Sequence, residues 1–249
     1  MRHALCAALA PLTLAACVAV TPVAAPAPTP AAPGSAPGAG AGAGAAVPDR
    51  IPISEARANF AAVVRRVEPV AERVCRAEAA PGTPCDIEIV VVTDPRAEPN
   101  AFQTRDRAGR PVVGFTLSLI AEARNQDEIA FIMGHEAAHH IAGHIDVAAG
   151  RAREGGLLGA VVASAAGLDP SQVEQVARVS AGINARRYQK GFELEADRLG
   201  TRIAALAGFD PVRGALFFQR IPDPGDRFLG THPPNADRLA TVRAAAAGL

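Results

Sequence analysis

The sequence predicts an α+β fold that is mainly helical, with a small antiparallel sheet beside one central helix. Apolar residues recur at helical spacing through most of residues 50–249, whereas residues 87–116 contain three short runs rich in β-branched side chains. The apolar helical stretch at residues 126–145 also carries histidine and glutamate, which marks it as the functional helix. Basic and acidic residues balance at 25 each, and no basic cluster stands out, so we expect no nucleic-acid partner.

The beginning of the chain has the features of an export signal. A short polar start followed by an apolar run is typical of a secretory signal peptide, here residues 1–16. The Leu-Ala-Ala sequence before Cys17 resembles a bacterial lipobox, so we expect Cys17 to be acylated. The alternative is an ordinary small-residue cleavage site with an incidental Cys17. Residues 17–49 would then comprise the acylated cysteine and a tether rich in Ala, Pro and Gly.

These features predict a location as well as a domain boundary. The folded domain is expected to span residues 50–249, which by length is one domain. An acylated cysteine followed by a tether would hold this domain at a membrane surface. We therefore expect a lipid-anchored protein of the bacterial cell envelope on the periplasmic side, with the outer membrane favoured.

The domain begins with a predicted helix and a predicted disulfide. Pro69 is expected to kink or break the helix. Once the signal peptide is removed and Cys17 is acylated, Cys75 and Cys85 remain, and an oxidising compartment favours a bond between them. Two free thiols or a metal-binding pair are the alternatives. The apolar positions that define the helix are Phe60, Val63, Val64, Val67, Val70 and Val74.

Three predicted strands follow, at residues 87–93, 101–104 and 111–116. They would form the small antiparallel sheet. Its edge strand could pair with an extended polypeptide, or the sheet could only support the central helix.

The central helix is predicted from Asn125, which forms a capping box with Glu128, to about residue 145. It contains the sequence His135-Glu136-x-x-His139. Because a helix turns about 100° per residue, His139 returns to within about 40° of His135, and both imidazoles can bind one Zn²⁺. Glu136 flanks the pair and can take a proton from a metal-bound water.

The alternative for this motif is a polar helix face with two solvated histidines. It is weakened by the apolar neighbours, which predict a largely buried helix in which imidazoles and carboxylates need partners. These neighbours are Ile129, Phe131, Ile132, Met133 and Ile141.

Two further segments have open interpretations. His140 and His144 form a second pair four residues apart, which should point away from the first pair as surface residues or as partners of the ligands. A second metal site there is the alternative. Residues 155–168 are small and apolar, and predict a buried hairpin, a lid over the cleft or a patch that touches lipid. They are too short to span a membrane, and a helix opening at Asp169 follows them.

A catalytic zinc site with two histidines and a water lacks one protein ligand. The metzincin extension would need glycine at Ala142 and histidine at Ile145, so that scheme fails. The best candidate is Glu193, on a later predicted helix. Asp197 is one turn further along the same face and can accept the N–H of a ligating histidine. A solvated helix face is the alternative for both acids.

The H-E-x-x-H motif followed by E-x-E-A-D-R-x-G resembles the HtpX, Oma and CAAX-prenyl-protease family of zinc endopeptidases, metallopeptidase family forty-eight. The resemblance covers residues 50–245. It extends to Asn100-Ala101-Phe102, Asp127-Glu128-Ile129-Ala130, Thr231-His232-Pro233-Pro234 and Arg238.

This resemblance implies a gluzincin-like metallopeptidase fold. It also implies that the protein acts on protein or peptide substrates. It implies one Zn²⁺ per chain, with His135, His139 and Glu193 as ligands, and Glu136 as the catalytic acid–base residue. Asp197 matches the second acidic position of the family, which is regarded as a proton donor, so the resemblance implies that Asp197 is a catalytic residue.

The function predicted for the chain is therefore zinc-dependent endopeptidase activity on misfolded or envelope proteins. His232 precedes two prolines and could enter the cleft to stabilise an oxyanion, or it could be structural and dock the last helix. The alternative function is a latent or non-cleaving zinc-containing envelope scaffold that binds partner proteins.

Overall fold

The computed structural model describes residues 51–187, 189–223 and 232–249. The predicted signal peptide, Cys17 and the tether lie outside the described residues. The mainly helical α+β class is confirmed. Within the described ranges the elements are α1 (Ile53–Glu78), β1 (Glu88–Val92), β2 (Ala101–Arg105), β3 (Pro111–Thr116), α2 (Leu117–Glu122), α3 (Gln126–Ile141), α4 (His144–Ala165), α5 (Pro170–Arg186), α6 (Gln189–Leu206), α7 (Pro211–Ala215), a 3₁₀ turn (Leu216–Gln219) and α8 (Asn235–Ala246).

The sheet is mixed, so the prediction of an antiparallel sheet is wrong for one of its two pairings. β3 is the central strand. It pairs antiparallel with β2, with Gln103 opposite Val113, and parallel with β1, with Ile89 opposite the same Val113. A short turn with Gly109 at φ 85° joins β2 to β3 and enforces the antiparallel pairing. Strand composition predicts extended backbone but does not indicate which strand lies in the middle.

The hydrophobic core lies between α1, the sheet and α3. Phe60 of α1 packs edge-to-face on Phe115 of β3, with ring centroids 5.1 Å apart. α1 continues through Pro69 without ending, so no break occurs there. The predicted disulfide between Cys75 and Cys85 is present and ties the end of α1 to the loop before β1.

α3 and α6 approach closely because each has a glycine at their contact. A Cβ atom on Gly134 would lie 2.8 Å from the carbonyl oxygen of Gly200, and one on Gly200 would lie 2.7 Å from the backbone nitrogen of His135. Real Cβ atoms do not tolerate such distances from backbone atoms. The two glycines therefore set the separation of the helices that carry the predicted metal ligands.

Replacing Gly200 by alanine is expected to lower the free energy of unfolding by about 1–3 kcal/mol, because the added methyl group must push the two backbones apart. The matched control is Gly191→Ala in the same helix, where a Cβ would meet nothing within 4 Å. That control should raise stability by about 0.5–1 kcal/mol through helix propensity. Urea denaturation of both variants measures the difference, and equal stabilities would contradict the close packing.

α4 and α5 form a helical hairpin that packs mainly on itself. Residues 155–168 form the second half of α4 and the turn after it, and Leu157 is 71 % exposed. The prediction of a buried hairpin is therefore wrong, and none of these residues lines the cleft described below. In the part of the chain that the structure describes, no helix combines the length and apolar character needed to cross a membrane.

Candidate active site

The start of α3 is fixed by a network around Glu128. Asn125 caps the helix by accepting the backbone N–H of Glu128 at 3.0 Å. The buried Glu128 carboxylate accepts the backbone N–H of Arg124 at 2.8 Å, and two hydrogen bonds from Arg220 at 2.7 and 2.6 Å. A buried charge is costly unless it is paired, and the Arg220 guanidinium offsets the cost of burying the Glu128 carboxylate. The same pair connects the start of α3 to the end of the 3₁₀ turn. Arg220 was not predicted as a partner of Glu128, because the two residues are 92 positions apart and no local pattern links them.

His135, His139 and Glu193 converge as the sequence led us to expect. The Nε2 atoms of the two histidines are 3.1 Å apart. Glu193 Oε1 lies 3.4 Å from His139 Nε2, and its Oε2 lies 3.5 Å from His135 Nε2. Two ligand atoms at about 2.05 Å from a tetrahedral zinc are about 3.3 Å apart, so all three separations fit one ion.

The Glu193 carboxylate provides an independent test of that fit. Its Oε2 is buried and makes no hydrogen bond of acceptable geometry within the described residues, although His232 Nδ1 lies 3.1 Å away. Burial opposes ionisation, but the His135 and His232 imidazoles and the charge of Arg238 hold the pKa of Glu193 well below its usual range. An ionised, buried oxygen without a hydrogen bond is suited to bind a cation.

His135 is oriented from behind by Asp197 and Arg238. Asp197 Oδ1 lies 2.9 Å from His135 Nδ1, so an N–H at Nδ1 directs Nε2 toward Glu193. Arg238 donates to both oxygens of Asp197, at 2.8 and 2.6 Å, and its guanidinium lies 3.9 Å from the ring centroid of Phe218. Asp197 is fully buried and does not line the cleft, so the geometry favours a residue that positions His135 over the proton donor expected from the sequence.

The electrostatics of His135 predict proton release on metal binding. Burial lowers the pKa of His135, but Asp197 and Glu193 outweigh burial and raise it to about 9 in the metal-free protein. Burial and the nearby His135 lower the pKa of His139 to about 3, so His139 is already neutral. At about pH 6, zinc binding should therefore release about one proton from His135, and the apparent affinity should rise with pH until about pH 9.

Calorimetry of zinc binding in buffers with different ionisation enthalpies measures this release, and a heat independent of the buffer would contradict it.

The raised pKa of His135 also makes the stability of the metal-free protein depend on pH. Because the folded-state pKa lies above the ordinary value of 6.5, the metal-free protein gains stability that is fully present below that pH and lost as the pH rises through about 9.

His144 is a partner of a candidate ligand, which is one of the interpretations left open above, but it does not point away from the first histidine pair as predicted. α3 ends at Ile141 rather than near residue 145, and Gly143 adopts φ 68°, which turns the chain back. His144 therefore points toward the first histidine pair, with its Nδ1 2.8 Å from His139 Nδ1. Its ring stacks on Phe192 at 4.4 Å, and its Nε2 lies 3.4 Å from Glu195. Gly143 is the feature of the sequence from which an earlier end of α3 could have been predicted, because glycine readily adopts a left-handed backbone.

The hydrogen-bond pattern of these histidines is self-consistent. If His139 donates from Nδ1 to His144, its Nε2 keeps a free lone pair for the metal. His140 is also buried, with its Nε2 2.6 Å from the Pro84 carbonyl oxygen, so it is not a surface residue. The two residues of the predicted second pair thus lie apart, in different environments.

Replacing His144 by phenylalanine should lower zinc affinity by about 10–100-fold, because the ring can still stack on Phe192 while the acceptor for His139 is lost. Competition with a chelating dye measures the affinity. Replacing the exposed Glu195 by glutamine, which keeps an oxygen acceptor for His144 and removes only the charge, should change the zinc affinity by less than about threefold. An unchanged affinity in the phenylalanine variant would show that His144 does not orient the ligand.

The converging side chains face a cleft of about 670 Å³. Glu136 and His232 line it beside the three candidate ligands, and Ala101 lines it from the edge strand β2. Burial raises the pKa of Glu136. The His232 side chain is about half exposed at the cleft. The remaining lining is largely apolar and includes Leu119, Phe131, Ile132, Phe217, Phe218 and Ile221.

The sequence profile of peptidase family M48 matches residues 61–246, from within α1 to the end of α8. The chain belongs to peptidase family M48. The gluzincin-type arrangement of two helices around a histidine pair and a glutamate is thus that of a metallopeptidase family.

Two curated proteins are similar in sequence to this M48 chain. It is 33% identical over 142 residues to a Vibrio cholerae protein named as a beta-barrel assembly-enhancing protease, covering 50% of the chain and 28% of the relative. It is 30% identical over 168 residues to the mitochondrial metalloendopeptidase OMA1 of Saccharomyces cerevisiae, covering 62% of the chain and 46% of the relative. The match therefore spans less than half the length of either relative.

Proposed function

We propose that this M48 chain is a zinc-dependent endopeptidase with one Zn²⁺ per chain. The observation that carries the proposal is the convergence of His135, His139 and Glu193, at separations that fit a single ion, beside Glu136 in an open cleft. When bound there, zinc supplies Lewis acidity that acidifies water and polarises a peptide carbonyl. The two relatives, which are named as a protease and a metalloendopeptidase, support hydrolysis of peptide bonds.

Glu136 performs the proton transfers in this proposal. Its carboxylate takes a proton from the attacking water and delivers it to the leaving amine. Burial raises the pKa of Glu136, which brings it closer to the operating pH and favours both steps. His232 donates a hydrogen bond to the oxyanion that develops on the carbonyl, while Asp197 holds His135 in its ligating orientation.

The proposed substrates are extended segments of misfolded or envelope proteins. β2 is an edge strand of the sheet, and Ala101 brings it to the cleft. A substrate backbone can pair with such an edge and place its side chains in the apolar lining. We further propose that acylated Cys17 and the tether hold the enzyme on the periplasmic side of the bacterial outer membrane.

The experiment is chelation and restoration on the full chain with denatured casein as substrate. Removal of metal should abolish cleavage, and about one equivalent of Zn²⁺ per chain should restore it. If the zinc-loaded protein cleaves neither casein nor other unfolded proteins, the alternative of a latent or non-cleaving zinc-containing envelope scaffold is favoured instead.

A further inference from the structure

The hairpin of α4 and α5 carries an apolar surface that the fold does not use. We define the hairpin surface as its exposed large apolar residues. Leu157, Leu158, Val161 and Val162 are 71, 65, 65 and 59 % exposed, and α5 has no buried residue. The full set is Leu157, Leu158, Val161, Val162, Leu168, Val179 and Ile183.

The interior of the same hairpin is made of small and polar groups. A Cβ on Gly155 would lie 2.7 Å from the carbonyl oxygen of Ser180, and one on Gly159 would lie 2.5 Å from the Ser180 hydroxyl. The Asn184 amide donates to the backbone carbonyl of Arg151 at 2.6 Å across the hairpin. Two helices packed in water bury their large apolar side chains between them. Here these side chains lie outside, which is the arrangement suited to apolar surroundings.

The distribution of charged residues on the hairpin indicates that the apolar surroundings are those of a lipid bilayer. Residues 155–168 contain no charged side chain. At the opposite end of the hairpin from its turn, Arg153, Arg186 and Arg187 are exposed, and Arg151 pairs with Glu154 at 3.3 Å. The acidic residues at this end are Glu154 and Asp146, and Asp146 is paired with Arg105 of β2, so the four arginines give a local positive excess in a chain whose formal net charge is zero. An apolar face next to basic side chains is complementary to acyl chains below anionic headgroups.

The charged residues near the turn of the hairpin indicate how the hairpin would be oriented on a membrane. Asp169 caps α5, and Glu174 pairs with Arg178 near the same end. Burying these charges by insertion of the turn first would be costly. The uncharged part of α4 is also too short to cross about 30 Å of hydrocarbon. The hairpin would therefore lie along the membrane surface.

We propose that the hairpin surface docks on an anionic bilayer, with its apolar side chains at the boundary of headgroups and acyl chains. Because α4 begins at His144, which contacts His139, docking would hold the candidate active site next to the membrane. This contact is separate from the predicted anchor at Cys17, and it does not depend on whether the protein cleaves peptides.

The test uses the mature chain, residues 17–249, with Cys17→Ala, so that both the apolar signal peptide and the predicted acyl anchor are absent, and vesicles of phosphatidylcholine with or without phosphatidylglycerol. Co-sedimentation should show binding that is stronger to the anionic vesicles. Adding Leu157→Gln, Leu158→Gln, Val161→Gln and Val162→Gln should weaken binding on the order of 100-fold. These side chains are exposed, so the fold should survive, as circular dichroism would show.

Two controls separate the contributions. Leu206 is 60 % exposed on α6, and Leu206→Gln should leave vesicle binding unchanged. Replacing Arg153, Arg186 and Arg187 by glutamine should lower binding about tenfold or more and remove the preference for anionic vesicles.

Three outcomes would overturn the proposal. The first is no binding by the Cys17→Ala chain, and the second is equal binding by the four-glutamine variant. The third is a dimer in sedimentation that the four substitutions dissociate, without vesicle binding, which would show that a second copy of the chain covers the hairpin surface.

Discussion

Glu136→Gln is expected to reduce cleavage of denatured casein by about 10²–10⁴-fold while leaving zinc bound. Glutamine keeps the size and polarity of the side chain but cannot accept the proton of the attacking water. Glu136 is not one of the three groups that converge on the candidate metal position, so zinc content and affinity should stay at the wild-type level. Turnover measured together with metal analysis separates loss of the base from loss of the metal.

The matched control is Glu98→Gln, which changes another carboxylate that lines the same cleft. Its cleavage rate should stay within about threefold of wild type, because general acid–base catalysis requires a group within reach of the transferred proton. Undiminished cleavage by the Glu136 variant, or equal losses in both variants, would refute the role given to Glu136.

Asp197→Ala is expected to lower the free energy of unfolding of the metal-free protein by about 3–5 kcal/mol. The Arg238 side chain is 8% exposed and is bound by both oxygens of Asp197, so the substitution would leave a buried guanidinium without its partner. His135 would also lose the acceptor for its Nδ1, and zinc affinity should fall by about 10–100-fold. Urea denaturation and dye competition measure the two effects.

A double variant distinguishes these consequences. Asp197→Leu combined with Arg238→Met removes both charges, so most of the stability should return, whereas the zinc affinity should remain low because His135 still lacks its acceptor. As a surface control, Asp146→Ala breaks an exposed pair with Arg105 and should cost less than about 1 kcal/mol. A stable Asp197→Ala variant with normal zinc affinity would show that the buried pair has no positioning role.

Local patterns in the sequence predicted the ligand-bearing helices well. The four-residue spacings of His135 and His139, and of Glu193 and Asp197, place each pair on one helix face, and the structure brings these faces together. The Cys75–Cys85 bond was also predicted, from the two cysteines that remain outside the predicted signal peptide and acylation site. Each of these inferences depends on residues close in the chain or on the redox compartment.

Contacts between distant residues were not predictable in the same way. The parallel pairing of β1 with β3 depends on strand order, and the pairing of Arg220 with Glu128 joins residues 92 positions apart. The position of His144 depends on the left-handed Gly143, which ends α3 before the fourth histidine. The contact of Gly134 with Gly200 is set by how two helices cross, which neither helix encodes alone.

The most direct test is a crystal structure of the zinc-loaded protein with anomalous data collected at the zinc absorption edge. We predict one strong anomalous peak per chain, bound by Nε2 of His135, Nε2 of His139 and the carboxylate of Glu193. A peak elsewhere, or a Glu193 carboxylate directed away from both imidazoles, would contradict the proposed site and the hydrolysis that depends on it.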